Sequence, residues 1–530
     1  MTRRADAPSN RAAGPSRAWV KVVVPLVFTV IAVAAAEAGM RMVDGYRLTS
    51  IRLASSRSRS VMPGSGSGAG SGKWLGETDA WPYVQQLPVA ASVDREWFRA
   101  RFPDRPALQP DAELEARKRR YKSPDDSHEN YEWNRREIVG AVCGGERRDI
   151  ADSLNRFDDV FVFDASDGTD KPTYRFLRQV VYPSGMRTNA FGWRGPEIAL
   201  NKPPRTIRIA FVGASTTIDP HSEPYSYPEL VGLWLNRWAG THHRDVSFEV
   251  INAGREGINS RSIQAIVRQE ILPVEPDLVV YYEGSNQFWP ADFIGTVLPP
   301  RSKVSGPRPT ALASYSAIAR RVENVVRHAV EPGVEPVKPS IHVGWPGDLD
   351  ERDPDLSHPR LPIELPHILG DVEIMRRALD EQGARLVMTS FAWIVYPGLV
   401  LDPVRDAMIF EYLNGTFWPF TYAHMRRYLD FQSQAFRKYA SVHGLDFIDV
   451  SGSYPRDPRL FNDAIHMTRA GIHLHAWIAF NGIVPIIERN LAAHEWPRPA
   501  RRLLREHPGF DGRRLVPMSE VRAACHAAVQ

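Results

Sequence analysis

Five residues spread along the chain have types that belong together chemically: Ser215, Gly257, Asn286, Asp463 and His466. A serine hydroxyl becomes a useful nucleophile when an imidazole takes its proton, and the imidazole does so when a carboxylate fixes its tautomer and orientation. Asp463 and His466 stand three apart in "NDAIHMT", near enough for one loop to pair them. Attack on a carbonyl also requires donors where the oxyanion forms, and a glycine N–H such as that of Gly257 and a side-chain amide such as that of Asn286 are suitable. Each residue also has a plainer role. Ser215 and Gly257 fit turns, Asn286 fits a cap, and Asp463 with His466 fits the N-cap and first turn of the last helix.

Position decides between these readings, because open parallel sheets gather their ligands beyond the carboxyl ends of the strands. After Arg205, short apolar runs alternate with stretches of helical periodicity, the pattern of a doubly wound, flavodoxin-like parallel sheet. The runs predict strands at Ile207–Val212, Phe248–Asn252, Leu278–Tyr282, Arg385–Thr389 and Asp446–Val450. Apolar residues at three-and-four spacing predict helices at Tyr227–Trp238, Arg261–Leu272, Pro366–Gln382, Tyr422–Val442 and Thr468–Glu488. Ser215 follows the first strand through Gly213-Ala214. "NAGREGINS" follows the second, "YEGSNQF" the third and "NDAIHMT" the fifth. All five residues therefore fall at one edge of one sheet, which holds every role that acyl transfer through a serine needs.

The rest of the chain bounds the setting. It has 530 residues, of which 43% are apolar and 24% charged, with a net charge of +4; this is a globular composition without a polyanion-binding stripe, and it argues against a nucleic-acid partner. Two cysteines, Cys143 and Cys525, exclude a disulfide framework and a cysteine-built zinc site but leave one bridge open. Residues 1–18 form a basic tail. The uncharged run "VVVPLVFTVIAVAAA" between Lys21 and Glu37 predicts an uncleaved transmembrane signal anchor over 19–40, with a cleaved signal peptide as the alternative. Residues 41–72, including "PGSGSGAGSG", read as a flexible linker. Residues 73–204 read as a mixed lead-in region, with helical candidates at Asp111–Tyr121 and Glu132–Val142 and strand-like "DVFVFDA" and "TYRFLRQVVY". The sheet-bearing domain is placed at 205–490, an insertion at 290–365 and a C-terminal tail at 491–530.

The ordered set Gly-x-Ser at 213–215, Gly257, Gly-x-Asn at 284–286 and Asp-x-x-His at 463–466 resembles the SGNH, or GDSL-type, hydrolases. "TNAFGWRGPEI" at 188–198 resembles the lead-in of their membrane-tethered bacterial members. The resemblance implies an SGNH hydrolase-like α/β fold, Ser215 as nucleophile, His466 as base and Asp463 as its orienting carboxylate. It implies an oxyanion hole from Ser215, Gly257 and Asn286, with no metal and no cofactor. Two positions depart from the family pattern: Ala214 stands where the family has Asp, and Gln287 where Asp is common. The expected function is an exported, membrane-tethered serine O-acyl esterase acting on a small-molecule or glycan ester, in the envelope a glycan or lipid ester. An O-acyltransferase using the same acyl-enzyme and a non-catalytic envelope scaffold are the alternatives. His221 is a rival base, and His473 and His475 read as structural.

Overall fold

The computed structural model describes residues 17–44, 46–53, 80–105, 185–220, 223–243, 245–288, 310–330, 335–402 and 405–508. The glycine-serine linker, the helical and strand-like candidates between 111 and 182, His221, Cys143 and Cys525 lie outside them. In chain order, the elements that matter here are α1 (Arg17–Val43), β1 (Thr206–Gly213), α2 (Ser215–Ile218), α3 (Tyr227–His242), β2 (Ser247–Asn252), α4 (Ser260–Ile266), β3 (Leu278–Tyr282), α5 (Ala317–Val330), α6 (Leu365–Glu381), β4 (Arg385–Thr389), α7 (Tyr422–Val442), β5 (Asp446–Ile448) and α8 (Arg469–Ala492).

The described chain divides into two units. The larger holds one five-stranded parallel sheet in the order β2-β1-β3-β4-β5, the flavodoxin-like doubly wound arrangement expected from the alternating pattern. β1 is buried along its whole length, as a strand must be when helices cover both faces, and its one charged residue, Arg208, is paired with Glu249. The strand order reverses at β1, so right-handed crossovers place α3 on the opposite face from α4, α6 and α7. α3 packs against α8, and α6 packs against α4 and α7. Register aligns the ends of the strands: Phe211 pairs with Asn252 and Gly213 with Tyr282. The loops after β1, β2 and β3 consequently leave the sheet side by side.

Three local differences from the sequence pattern have physical causes. The predicted helix 261–272 is α-helical only to Ile266 and continues as a π turn, Val267–Ile271. That turn carries the buried Glu270, which accepts from Trp193 Nε1 at 3.2 Å and pairs with Arg255. The last strand ends at Ile448, because the Asp449 side chain takes the N–H of Gly452 at 3.0 Å and starts a turn. The last helix begins at Arg469, capped by Thr468 through the Gly471 N–H at 3.3 Å; Asp463 is not its cap.

The described parts of the lead-in and the tail belong to the same unit as the sheet. Phe98 is fully buried and stacks on His473 with ring centroids 4.1 Å apart. Trp234 Nε1 donates to Trp97 O at 3.0 Å. After α8, Arg498 Nε donates to Asp277 Oδ1 at 3.0 Å and Leu504 N to Asn201 Oδ1 at 2.6 Å. The smaller unit comprises α1, residues 46–53 and 310–330, and Asp402 and Arg405, so the insertion contributes α5 to it.

Candidate active site

β1 delivers its last residues into a turn that only glycine permits. A Cβ at Gly213 would collide with Thr217 Oγ1 and with Tyr282 O, and Thr217 Oγ1 donates to that same carbonyl at 3.0 Å. Ser215 then opens the single helical turn α2, whose Thr217 and Ile218 N–H groups return to Ala214 O at 2.9 and 3.1 Å. Asp219, just beyond it, has φ +64° and ψ 160°, a region that side-chain-bearing residues enter only when their surroundings hold them there. Two groups do so. Tyr227 N donates to Asp219 Oδ2 at 2.6 Å. Arg194 Nη1 donates to the carbonyls of Ile218, Asp219 and Pro220 at 2.8, 2.9 and 3.1 Å. Burial pushes the Asp219 carboxyl up to about 7, against the pull of Arg194, the Tyr227 N–H and His466.

The histidine loop is closed by its own backbone. Phe461 and Met467 form an antiparallel bridge, and Asn462 N donates to His466 O at 2.7 Å. Asp463 Oδ1 accepts the N–H groups of Ile465 and His466 at 2.9 and 2.8 Å, while Oδ2 accepts from His466 Nδ1 at 2.7 Å. With Nδ1 protonated, the lone pair on Nε2 faces Ser215 Oγ, 2.9 Å away. Ser215, Asp463 and His466 are all buried. Burial alone would raise the Asp463 pKa, but the charge and hydrogen bond of His466 outweigh it and hold the carboxyl below its ordinary range. Burial likewise disfavours the imidazolium, and the Asp463 carboxylate outweighs it, so His466 sits above 6.5.

Gly257 and Asn286 lie on adjoining loops. Gly257 is exposed at φ +68°, a left-handed turn suited to glycine. Asn286 Nδ2 donates one proton to Ile258 O at 2.7 Å, and Ser260 N donates to Gln287 Oε1 at 3.0 Å. Gln287 therefore ties the loop after β3 to the start of α4. The buried Glu283 carboxyl takes the N–H groups of Ser285 and Asn286 on Oε1 at 2.8 and 2.9 Å, and the N–H groups of Gly284 and Ala214 oppose the upward pull of burial on its pKa. One side chain thus spans the serine turn and the Asn286 turn. Asn252 adds a second tie, donating from Nδ2 to Thr217 O at 2.9 Å.

Sequence reasoning singled out neither Glu283 nor Arg194, although Arg194 lies within the quoted lead-in motif. Apart from the Arg194 pairing with Glu229, their ligands are backbone groups, which leave no pattern in residue identity. His473 and His475 are core residues of α8. His473 lies between Phe98 and Trp234, and burial pushes His475 down to about 3, so it stays neutral. Among the described residues, no three His, Cys, Asp or Glu side chains are grouped to hold a metal ion.

Fold and site together define an α/β protein with a Ser-His-Asp array at the carboxyl edge of a parallel sheet. No family model matches the sequence, and no curated relative does. Solved structures similar to it include an acetyl xylan esterase, at 16% identity over 52% of this chain and 100% of that one, with a TM-score of 0.29. A GDSL-like lipase from Bacteroides thetaiotaomicron VPI-5482 matches at 13% identity over 55% and 92%, with a TM-score of 0.25. A lipase/acylhydrolase from Enterococcus faecalis matches at 15% over 52% and 95%, with a TM-score of 0.27. Likeness at this level carries no residue's role across.

Proposed function

We propose that this chain is an SGNH-type serine O-acyl esterase, tethered to a membrane by α1 and acting on glycan or lipid esters of the cell envelope. The observation that carries the proposal is the continuous relay from Asp463 Oδ2 through His466 to Ser215 Oγ, with links of 2.7 and 2.9 Å, at the edge where parallel sheets bind ligands. His466 Nε2 takes the hydroxyl proton as Ser215 Oγ attacks the ester carbonyl. The N–H groups of Ser215 and Gly257 and the second amide proton of Asn286 stabilise the oxyanion. Collapse expels the alcohol, which receives the proton from His466 and leaves Ser215 acylated. A water molecule, deprotonated by His466, then attacks the acyl-enzyme, releasing the carboxylic acid and restoring the serine.

Support for the tether comes from α1. Its apolar residues, among them Leu26, Phe28, Val30 and Ile31, are exposed, whereas α8, the other helix long and apolar enough to span a bilayer, is mostly buried in the core. The test is a panel of acetyl and longer acyl esters presented to the full chain in lipid nanodiscs, with and without sugar acceptors. Acetate release is expected, with Ser215→Ala and His466→Ala each losing on the order of 10⁴-fold or more and the double variant hardly worse. Wild-type turnover in Ser215→Ala would overturn the reading, and acyl transfer to the sugar in place of hydrolysis would make the chain an acyltransferase.

A further inference from the structure

The helix α5 is built inside out. Arg320 is 1% exposed and lies 3.7 Å from the buried Asp402, while Asn324 Nδ2 donates to Asp402 Oδ2 at 3.3 Å and Glu323 accepts from Thr310. The polar side thus faces the unit's own interior. The opposite side presents Val322, Val325 and Val326, which are 59%, 69% and 56% exposed. Ile318 continues this stripe at the spacing of one helical face, and the preceding turn adds the exposed Leu312 and Tyr315. A helix surrounded by water has the reverse arrangement.

What α5 is attached to indicates what covers it. Glu37 of α1 accepts the N–H groups of Ala317 and Ile318 at 2.7 and 3.2 Å and the hydroxyl of Ser316 at 2.8 Å, so the tether's own carboxylate caps the start of α5. Arg41 Nη2 donates to Tyr315 O at 2.6 Å, and Asp44 pairs with Arg321. Glu37 is the first charged residue after the apolar run 22–36. α5 therefore starts beside the residue at which the charge-free run of α1 ends.

We propose that α5 is an interfacial helix whose Ile318, Val322, Val325 and Val326 stripe is covered by membrane lipid at the headgroup and upper acyl-chain level. This rests on the reading of α1 as a membrane tether. Such a helix inserts one apolar face about 5–10 Å into the interface, and here it gives the tether a second, lateral foothold.

The test uses the full chain with Cys143→Ser and Cys525→Ser and one introduced cysteine, Val322→Cys, Val325→Cys or Ile31→Cys. Each is labelled with an environment-sensitive fluorophore and placed in phosphatidylcholine nanodiscs. The labels at 322 and 325 should lose most of their emission to a nitroxide near the glycerol, and little to a mid-chain nitroxide or to aqueous iodide. The label at 31 should respond to the mid-chain nitroxide. Iodide quenching at 322 and 325, with 31 still in lipid, would leave the stripe in water and overturn the inference alone. Protection there from all three quenchers, the nitroxide near the glycerol included, would mean cover by protein, such as a second copy of the chain, and would overturn it equally. Iodide quenching at 31 as well would bring down the tether and this inference together.

Discussion

Both oxygens of Asp463 are engaged: Oδ1 fixes the loop through two backbone N–H groups, and Oδ2 raises the proton affinity of His466. A base must be neutral to accept a proton, so the raised pKa of His466 predicts that kcat/KM rises with pH as the imidazolium loses its proton, at a higher pH than a free imidazole would. Asp463→Asn removes the opposing charge and leaves burial, which disfavours the imidazolium. The limb should shift to lower pH while kcat falls on the order of 10⁴-fold, and an unmoved limb would assign the ionisation to another group. Glu283 makes a different prediction because it touches no reacting atom. Glu283→Ala leaves buried N–H groups without an acceptor, a stability cost of about 1–3 kcal/mol, and the loosened turns should lower kcat with little change in KM. Glu283→Gln keeps an acceptor at Oε1 and should recover part of the loss; an equal fall in both variants would count against a positioning role. The contrast with the five predicted residues is instructive. The array of Ser215, Asp463 and His466 is legible in the residue types and in the edge that the strand pattern gives them, whereas Glu283 and, for the most part, Arg194 bind main-chain atoms that every sequence possesses.

At the scale of elements, what the chain pattern reveals depends on how far apart the packing partners lie. β1, β3 and β4 follow from their apolar runs, and α7 spans the same residues as its periodicity. The lead-in was opaque because its meaning is long-range. Phe98 packs on His473 and Trp477, with centroids 4.1 and 5.6 Å apart, and on Trp234 at 6.1 Å. Those partners lie on α3 and α8, far along the chain. Phe98→Ala should therefore destabilise the unit by about 3–5 kcal/mol, read as a lower urea midpoint at unchanged m-value. A change below about 1 kcal/mol would mean that the cavity closes by local rearrangement and that the segment is peripheral to the core. The π turn at 267–271 was hidden for another reason. Apolar spacing reports which side of a helix is buried, and it is blind to a hydrogen-bond register lengthened by one residue so that Glu270 can meet Arg255 and Trp193.

For the whole molecule, the proposed tether has to be distinguished from a second helix of similar length and hydropathy. α1 and α8 both have the length and hydropathy of a membrane span, and composition does not separate them. Surroundings do: Ile483 and Trp477 of α8 are fully buried in the unit that carries the site, while Val27 and Ile31 of α1 are exposed. The same substitution should therefore have opposite consequences in the two helices. Val27→Arg with Ile31→Arg places two guanidinium groups within the apolar run, at about 2.5–3.5 kcal/mol each near a span's centre. The chain should then lose its hold on the bilayer while the sheet unit stays folded and keeps its turnover of a soluble ester. Ile483→Arg in α8 should leave membrane attachment intact and unfold the sheet unit, because an unpaired charge in a packed core has neither water nor partner. Flotation of the expressed chain with lipid vesicles, followed by an ester assay on the floated and unfloated fractions, separates the two. Activity should stay in the unfloated fraction for the α1 variant and vanish from both for the α8 variant. An α1 double variant that still floats would move the tether away from α1.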